Sequence, residues 1–389
     1  MNMFISKEEW LDKNKRKSDM ENSLLERTYT TLMGNVYDKD GYRWSPYRCI
    51  TPGKGSFTGI WNWDTAFHSI GVSKWDTDLA KDGILGFTQF QDEKGKFPDI
   101  IWENGNIEGH YAKPPLFSKA CEIVYRRDGD REFLKKMYPR LVANENHWRE
   151  NRCRSGMFFY DSEDKGEEIY QLHVRYESGW DNSVRWDKTI TDMWPIDLNC
   201  FAVMDYRSLT YIANELNLCD DAKMWAEKGV ELADLINERL WDGKNGYYAD
   251  ANKLTGEISD VLTPASFMPL YINIAGKEQA LSMAEIAEKN FGCKMPTVAF
   301  DNPNFSTDYW RGPTWLNVAY FAARGLKNYG LDVADRIRDN IIKMCFDEKR
   351  GIFENYNSLT GEGLCCDHFS WSCVFLNEFI LNWGEKEIW

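Results

Sequence analysis

The chain has 389 residues, 43% of them hydrophobic and 15% aromatic, with 17 Trp, 19 Tyr and 21 Phe, a composition that excludes a disordered chain and provides for a large core. The 61 Asp and Glu outnumber the 47 Lys and Arg, for a net charge of −14; such a surface repels phosphate backbones and anionic lipid, so neither nucleic acid nor a membrane is an expected partner. The opening MNMFISKEEWLDKNKRK lacks the apolar run of a secretion signal, and no apolar stretch of about 18 residues occurs elsewhere, so a soluble, cytoplasmic protein is expected.

Helical periodicity recurs from end to end. In chain order the expected helices are 6–33, 64–73, 76–91, 114–127, 131–150, 195–216, 220–241, 263–274, 276–290, 313–328, 331–346 and 369–385, several opening on Asp, Ser, Thr or Pro and closing at Gly or Asn. The clearest is 220–241, where Trp225, Gly229, Leu232, Ile236 and Leu240 fall at three- and four-residue steps with Glu227, Lys228, Glu231 and Asp234 between them. Four connecting segments, GSFTGIWNW, KGKFPDIIWENGN, YESGWDNSVRW and DYWRGPTW, are too rich in Gly and Trp for plain connectors. No Pro- or Ser-rich linker divides the chain, so one domain over 1–389 is expected. The ten cysteines are scattered and read as reduced, mostly buried thiols. Their one tight cluster, Cys365, Cys366, His368 and Cys373, lacks a second ligand pair at zinc-finger spacing, and no metal is expected.

An internal repeat organises the second half. WDGKNGYYADANKLTGE at 241–257 and FDEKRGIFENYNSLTGE at 346–362 share identities at a constant offset, including Gly246 with Gly351 and Leu254-Thr255-Gly256-Glu257 with Leu359-Thr360-Gly361-Glu362. Recurring helical pairs that cannot bury their own apolar faces stack into toroids or solenoids, and six hairpins from twelve helices close into an all-α (α/α)6 barrel with the long loops at its mouth.

The repeat also acts as an internal control on function. Where the second copy carries Glu354 the first carries Ala249, whereas Glu362 is repeated by Glu257 and so reads as part of the turn. A second carboxylate, Asp181, follows Gly179 and Trp180 in Tyr176-Glu177-Ser178-Gly179-Trp180-Asp181. A Trp beside an acid can desolvate it and raise its pKa, as a general acid near neutral pH requires. Structural readings stand beside both: a solvated loop carboxylate for Glu354 and an Asx-type turn for Asp181.

Glycoside hydrolysis needs two opposed carboxylates and aromatic platforms for sugar faces. Trp61, Trp63, Trp102, Trp180, Trp186, Trp194, Trp310 and Trp315 are candidate platforms, and Asp64, Asp99, Arg175, Arg185 and Arg311 are candidate partners for ring hydroxyls. HExxH, GxSxG, a P-loop and a GxGxxG after a strand are all absent. His68, four residues past Asp64, reads as a packing residue.

The runs WNWDTAFHS (61–69), KFPD (96–99), the Pro114-Pro115 pair, ESGWDNS (177–183), PIDLN (195–199), YWRGPTW (309–315), FENYNSLTGEG (353–363) and HFSWS (368–372) together resemble glycoside hydrolase family 63, with trehalase family 37 behind it. The resemblance covers the chain from about residue 40 to the end. It implies an inverting (α/α)6-barrel glycosidase that needs no cofactor, with Asp181 as general acid and Glu354 as general base, their carboxyl groups about 6.5–9.5 Å apart. It implies further that Trp63 and Asp64 hold the sugar, that Trp310 and Arg311 line the pocket, that Arg175 and Glu177 support the acid, and that Tyr356, of the late ExY motif, belongs to the binding set. Lys113 stands where many members carry Gln, and reads either as a partner for an acidic aglycone such as glycerate or as an exposed loop lysine.

The expected function is therefore exo-acting hydrolysis of a small α-glucoside or disaccharide, with a small carbohydrate as the partner. The alternative substrates are α-mannosyl- or α-glucosylglycerate. Rivals from other classes are a sugar epimerase or isomerase on the same barrel, disfavoured by the scarcity of His in the Trp-rich loops, and a non-catalytic carbohydrate-binding protein. The sequence leaves the oligomeric state open.

Overall fold

The computed structural model describes residues 4–38, 41–42, 44–166 and 168–384. Its helices are α1 (Lys7–Lys13), α2 (Asp19–Gly34), α3 (Asn62–Val72), α4 (Thr77–Thr88), α5 (Phe117–Asp128), α6 (Arg131–Asn151), α7 (Tyr170–Ser178), α8 (Ile196–Glu215), α9 (Cys219–Arg239), α10 (Met268–Tyr271), α11 (Lys277–Phe291), α12 (Leu316–Asn328), α13 (Val333–Asp347) and α14 (Ser370–Leu381). Six segments pack side by side in a closed inner ring: α3 against α5, α5 against α8, α8 against α10 and the 3-10 turn Pro264–Phe267 before it, these against α12, α12 against α14, and α14 back against α3. The outer helices α2, α4, α6, α9, α11 and α13 lean on that ring. This is the (α/α)6 barrel expected from the sequence.

The two rings differ as their sequences require. Every residue of α3 is buried, and all of α14 except Leu381, because an inner helix meets protein on all sides. On α9 the buried residues are Ala222, Trp225, Gly229, Leu232 and Ile236, one stripe on an otherwise solvated helix. Inside the inner ring Phe67 of α3, Phe201 of α8, Tyr271 of α10, Phe321 of α12 and Phe375 of α14 meet edge to face or tilted, with centroids 4.9–5.7 Å apart in four of the pairs. Such pairs contribute about 0.5–1.5 kcal/mol each beyond area burial. One helical turn above Phe67 stands Trp63, and one turn above Phe375 stands Trp371; their rings meet at 5.1 Å.

Several expected boundaries shift for local reasons. The stretch 6–33 breaks into α1 and α2 because Asn14 folds back on the Trp10 carbonyl (2.8 Å), Ser18 caps the Glu21 amide (3.4 Å) and Asn22 holds the Arg16 amide (2.7 Å). The stretch 263–274 becomes the 3-10 turn and short α10, since Pro264 and Pro269 each remove an N–H from the helical ladder. Of 369–385, helix α14 takes Ser370–Leu381; residue 385 lies outside the described residues. Helix α7, carrying Arg175 and Glu177, falls inside what reads as a loop in the sequence. All ten cysteines are free thiols, but only five of them are buried.

The repeat folds as read. Asn252 Oδ1 accepts from the amides of Leu254 and Thr255 (2.9 and 3.0 Å), and Asn357 Oδ1 accepts from those of Leu359 and Thr360 (2.9 and 3.2 Å). The Gly256 amide reaches the Asn252 carbonyl as the Gly361 amide reaches that of Asn357, at 2.8 and 2.7 Å.

Arg185 is structural rather than a sugar reader. It is buried, donates twice to Asp197 at the start of α8 (both 2.8 Å) and twice to Asp250 (2.8 and 2.9 Å), and lies over the rings of Trp180 and Trp186. Removing the guanidinium leaves two buried carboxylates uncompensated, and breaking such an ion group costs about 3–5 kcal/mol. Arg185→Met is therefore expected to lower unfolding stability by about that amount in chemical denaturation; a loss below about 1 kcal/mol contradicts the assignment.

Candidate active site

A cavity of about 280 Å3 opens over the Trp63–Trp371 layer. Its walls come from four places in the chain, and each is fixed by backbone bonds. The first is the sheet Gly59–Trp61, Ile100–Trp102 and Ile107–Glu108, in which Trp61 pairs with Ile100 and Ile100 with Glu108. The Asn62 amide that opens α3 donates to the Asp99 carbonyl (2.9 Å), and the Asn62 side chain to that of Pro98 (2.8 Å). Asp64, on the first turn of α3, and Asp99 thus face the same cavity.

The second wall is the end of α7. Glu177 is fully buried and accepts from the amides of Ala112 (3.2 Å) and Asp161 (2.6 Å) and from Arg152 Nε (3.2 Å), which locks the helix in place. Gly179 ends it at φ +72°, and a Cβ there would sit 2.4 Å from the Trp63 ring. Only glycine turns the chain left-handed against that indole. Asp181 follows, half-buried, with its side chain in the cavity.

The third and fourth walls are tied together. Thr314 and Tyr356 exchange backbone hydrogen bonds (2.7 and 2.9 Å), joining the Tyr309–Trp315 loop to the strand that follows Glu354. The Glu354 amide donates to the Cys366 carbonyl (2.8 Å). Its carboxylate accepts from the Tyr309 hydroxyl (2.9 Å) and, at 3.5 Å, from the Cys366 amide. Tyr309 has φ +44°, held by Trp315 Nε1 donating to its carbonyl (3.0 Å). Asn182, next to Asp181, donates to Asp308 (2.9 Å) and accepts from the Trp310 amide (2.9 Å). The loops bearing Asp181 and Glu354 are therefore cross-linked through Asn182 and Tyr309.

Burial dominates the electrostatics. It pushes the carboxyl of Asp64 up to about 8 and that of Asp99 up to about 7, each raised further by neighbouring carboxylates and pulled down by Lys113. Glu354 is raised to about 7 by burial, against the Tyr309 and Cys366 hydrogen bonds, and Asp181 is raised by burial against Lys113. Two carboxyls raised by desolvation, Glu354 to about 7, suit proton transfer near neutral pH.

The cavity gathers most, not all, of the residues singled out in the sequence. Trp61, Trp63, Asp64, Asp99, Trp102, Lys113, Asp181, Trp310, Trp315 and Glu354 line it. Trp180 lies instead beneath the surface against Trp310, 5.1 Å away. Arg311 is engaged by Asp187 in a bidentate pair (2.7 and 2.8 Å), and Arg175 donates to the Trp186 carbonyl (3.3 Å). Tyr356 is fully buried and its hydroxyl accepts from the Phe353 amide (3.0 Å). Trp186 and Trp194 are buried away from the cavity, and Glu177 is the anchor described above. These residues build the walls without facing the space. His68 is buried in α3 and desolvation lowers it to about 3, consistent with packing.

Sequence reasoning passed over Tyr309, Tyr111, Tyr176 and Trp371, all of which line the cavity. For Tyr309 and Trp371 the signal was present, since both stand inside the quoted runs YWRGPTW and HFSWS.

An (α/α)6 barrel with paired carboxyls in an aromatic cavity is the frame of a glycoside hydrolase. The sequence profile of the mannosylglycerate hydrolase MGH1-like glycoside hydrolase domain matches residues 58–372, and the chain belongs to that family. It is 26% identical over 421 residues to a mannosylglycerate hydrolase of Rubrobacter radiotolerans, covering 85% of this chain and 92% of the relative. A periplasmic trehalase of Salmonella schwarzengrund is 27% identical over 387 residues, covering 85% and 66%. In fold it is similar to the GH63 mannosylglycerate hydrolase from Thermus thermophilus in complex with glucose, at a TM-score of 0.77 and 23% identity over 92% of this chain and 100% of that one. The enzyme is thus a glycoside hydrolase with family 63 and trehalase relatives, as the sequence motifs indicated.

Gly179→Ala is expected to leave the barrel folded but lower glycosidase kcat/KM at least tenfold, because Trp63 and the Asp181 loop must separate; the left-handed backbone adds about 1–2 kcal/mol of destabilisation. Kinetics beside an unfolding curve check both, and unchanged kcat/KM contradicts the role given to this contact.

Proposed function

We propose that the chain hydrolyses a small α-hexosyl glycerate, α-mannosyl- or α-glucosylglycerate, with inversion at the anomeric carbon. One observation carries the reaction type: Asp181 and Glu354, on separate loops, face one small aromatic cavity with their carboxyls raised by desolvation. Asp181 protonates the glycosidic oxygen as the bond breaks. Glu354, oriented by Tyr309, takes a proton from the water that attacks the other face of the sugar, and the product leaves as the β-anomer. Asp64 and Asp99 hydrogen-bond the glycone hydroxyls, and the Trp walls cover the ring. A cavity of about 280 Å3 lies at the small end of ligand clefts, in keeping with a short substrate. The names of the mannosylglycerate hydrolase relatives support the glycerates ahead of the α-glucosidase expected from the sequence. We place the catalytic domain over 1–389, since the two rings draw on helices from Asp19 to Leu381. We place the enzyme in the cytoplasm, in keeping with its free thiols.

A second reading, hydrolysis of a neutral α-glucoside, is favoured by a specific feature. Among the described residues lining the cavity the only cation is Lys113, and Asp99 and the Tyr176 carbonyl already hold it. A glycerate carboxylate therefore meets no ammonium or guanidinium among these lining residues whose charge is not already paired.

The test is a panel of mannosylglycerate, glucosylglycerate, trehalose and neutral glucobioses, with the first-formed anomer followed by proton NMR. The expected result is β-hexose from a glycerate. Release from neutral glucosides alone selects the second reading, and first-formed α-anomer overturns inversion. Asp181→Asn and Glu354→Gln are each expected to lower kcat by about 10²–10⁴ with unfolding midpoints unchanged; a variant that keeps most of its rate removes that residue from its role.

The pH profile follows from the same carboxyls. With Glu354 titrating at about 7, kcat/KM falls as pH drops through that value and the base becomes protonated. Tyr309 donates to the charged form and lowers the titration point, so Tyr309→Phe moves this acid limb to higher pH. An acid limb that stays in place contradicts the pairing.

A further inference from the structure

Lys113 is not the exposed loop lysine that one reading of the sequence made it: it is 6% exposed. Its ammonium is held by Asp99, with both carboxylate oxygens at 3.3 Å, and by the carbonyl of Tyr176 on the last turn of α7, so its charge is already paired. Tyr111 lies 5.6 Å below the ammonium. The other charged groups of the neighbourhood are Asp64, Asp181 and Glu354 in the cavity, Glu108 beside Asp99, and Glu177, which is turned toward Arg152. Among the described residues one cation thus stands among four cavity carboxyls. An ammonium has three N–H donors, and Asp99 and Tyr176 account for two of them.

We propose that Lys113 is the positioning and specificity-determining residue of the glycone site: it tethers Asp99 to the end of α7, three residues before Gly179, and offers its third N–H to a glycone hydroxyl. The inference rests on the function proposed above and assigns Lys113 to the glycone rather than the aglycone. Its charge sets the hydrogen-bonding sense of its neighbours. Burial and neighbouring carboxylates raise Asp64 and Asp99, and Lys113 is the largest influence opposing that rise in both. With Lys113 in place Asp99 titrates at about 7, so near neutral pH its ionised form only accepts from sugar hydroxyls; without that ammonium it stays protonated and also donates, and the pattern of hydroxyls the site reads is changed. The same charge lowers Asp181, so its loss also shifts the cavity's other titration.

The experiment measures glucose and mannose binding by calorimetry from pH 5.5 to 8.5 on wild-type protein, Lys113→Met and Lys113→Gln, with kcat/KM profiles of the same proteins on the best glycoside of the panel. Met keeps the length of the stem without charge or donors, and Gln keeps donors without charge. Lys113→Met is expected to weaken hexose binding at least tenfold at pH 7. The limb of its kcat/KM profile that Asp181 sets is expected to move at least half a unit to higher pH, since the charge that lowers Asp181 is gone. Lys113→Gln is expected to recover part of the affinity while keeping the shifted limb. If Lys113→Met does not fold, the limb of Lys113→Gln decides the matter. Wild-type affinity and an unmoved limb in a folded Lys113→Met overturn the inference while leaving the hydrolase reading intact. If wild-type protein binds hexose but cleaves no glycoside, the hydrolase reading fails. A tenfold loss of binding in Lys113→Met then still supports the role of Lys113.

Discussion

Among the described residues, four carboxyl groups around one small cavity, with a single ammonium among them, are the condition on which the rest of the structure depends. Asp64, Asp99, Asp181 and Glu354 all border the cavity, and burial raises each of them. Like charges so confined repel one another and lose hydration, so they stay together only where rigid elements over-determine their positions. The closed inner ring provides that rigidity. It sets Trp63 of α3 against Trp371 of α14 at the cavity floor and packs Phe67, Phe321 and Phe375 a turn deeper.

Each carboxyl then reaches the cavity from a differently anchored segment. The Asp99 carbonyl receives the first amide of α3, so that residue moves with Asp64. Asp181 hangs from α7, whose Glu177 is sunk among Arg152 and two backbone amides. Glu354 sits on a repeat turn whose first copy has Ala249 in its place, and Tyr309 clamps it from the neighbouring loop. The left-handed Gly179 against the Trp63 ring joins two of these segments, and Asn182 joins the Asp181 and Tyr309 loops. Function is thus carried by loops whose freedom the barrel has removed.

The sequence made most of the barrel legible because its helices carry strong signals. Outer helices such as α9 show one apolar stripe, and caps such as Asp76 on Leu79 and Asp130 on Phe133 mark the starts of α4 and α6. Helix α7 was hidden because its residues Tyr170–Ser178 have only three buried positions, Val174, Glu177 and Ser178, two of them polar. The repeat exposed Glu354, since an internal copy separates what a turn needs from what has been added to it. Side-chain direction was not legible. Arg175, Arg311, Trp180 and Tyr356 stand in the right loops yet point into the walls, and a residue's loop does not tell which side of the wall it faces. The reading of Lys113 as an exposed loop lysine failed for a related reason: only the fold brings it to Asp99 and to the Tyr176 carbonyl.

The assignment of Asp181 and Glu354 as an acid and a base acting across the sugar ring is met most directly by a crystal structure with glucose or mannose in the cavity. The two carboxyl groups are predicted to flank the anomeric carbon from opposite faces, about 6.5–9.5 Å apart, with room for one water on the Glu354 side. A separation of about 5–5.5 Å, the spacing of retaining enzymes, or a sugar seated away from either carboxyl, contradicts it.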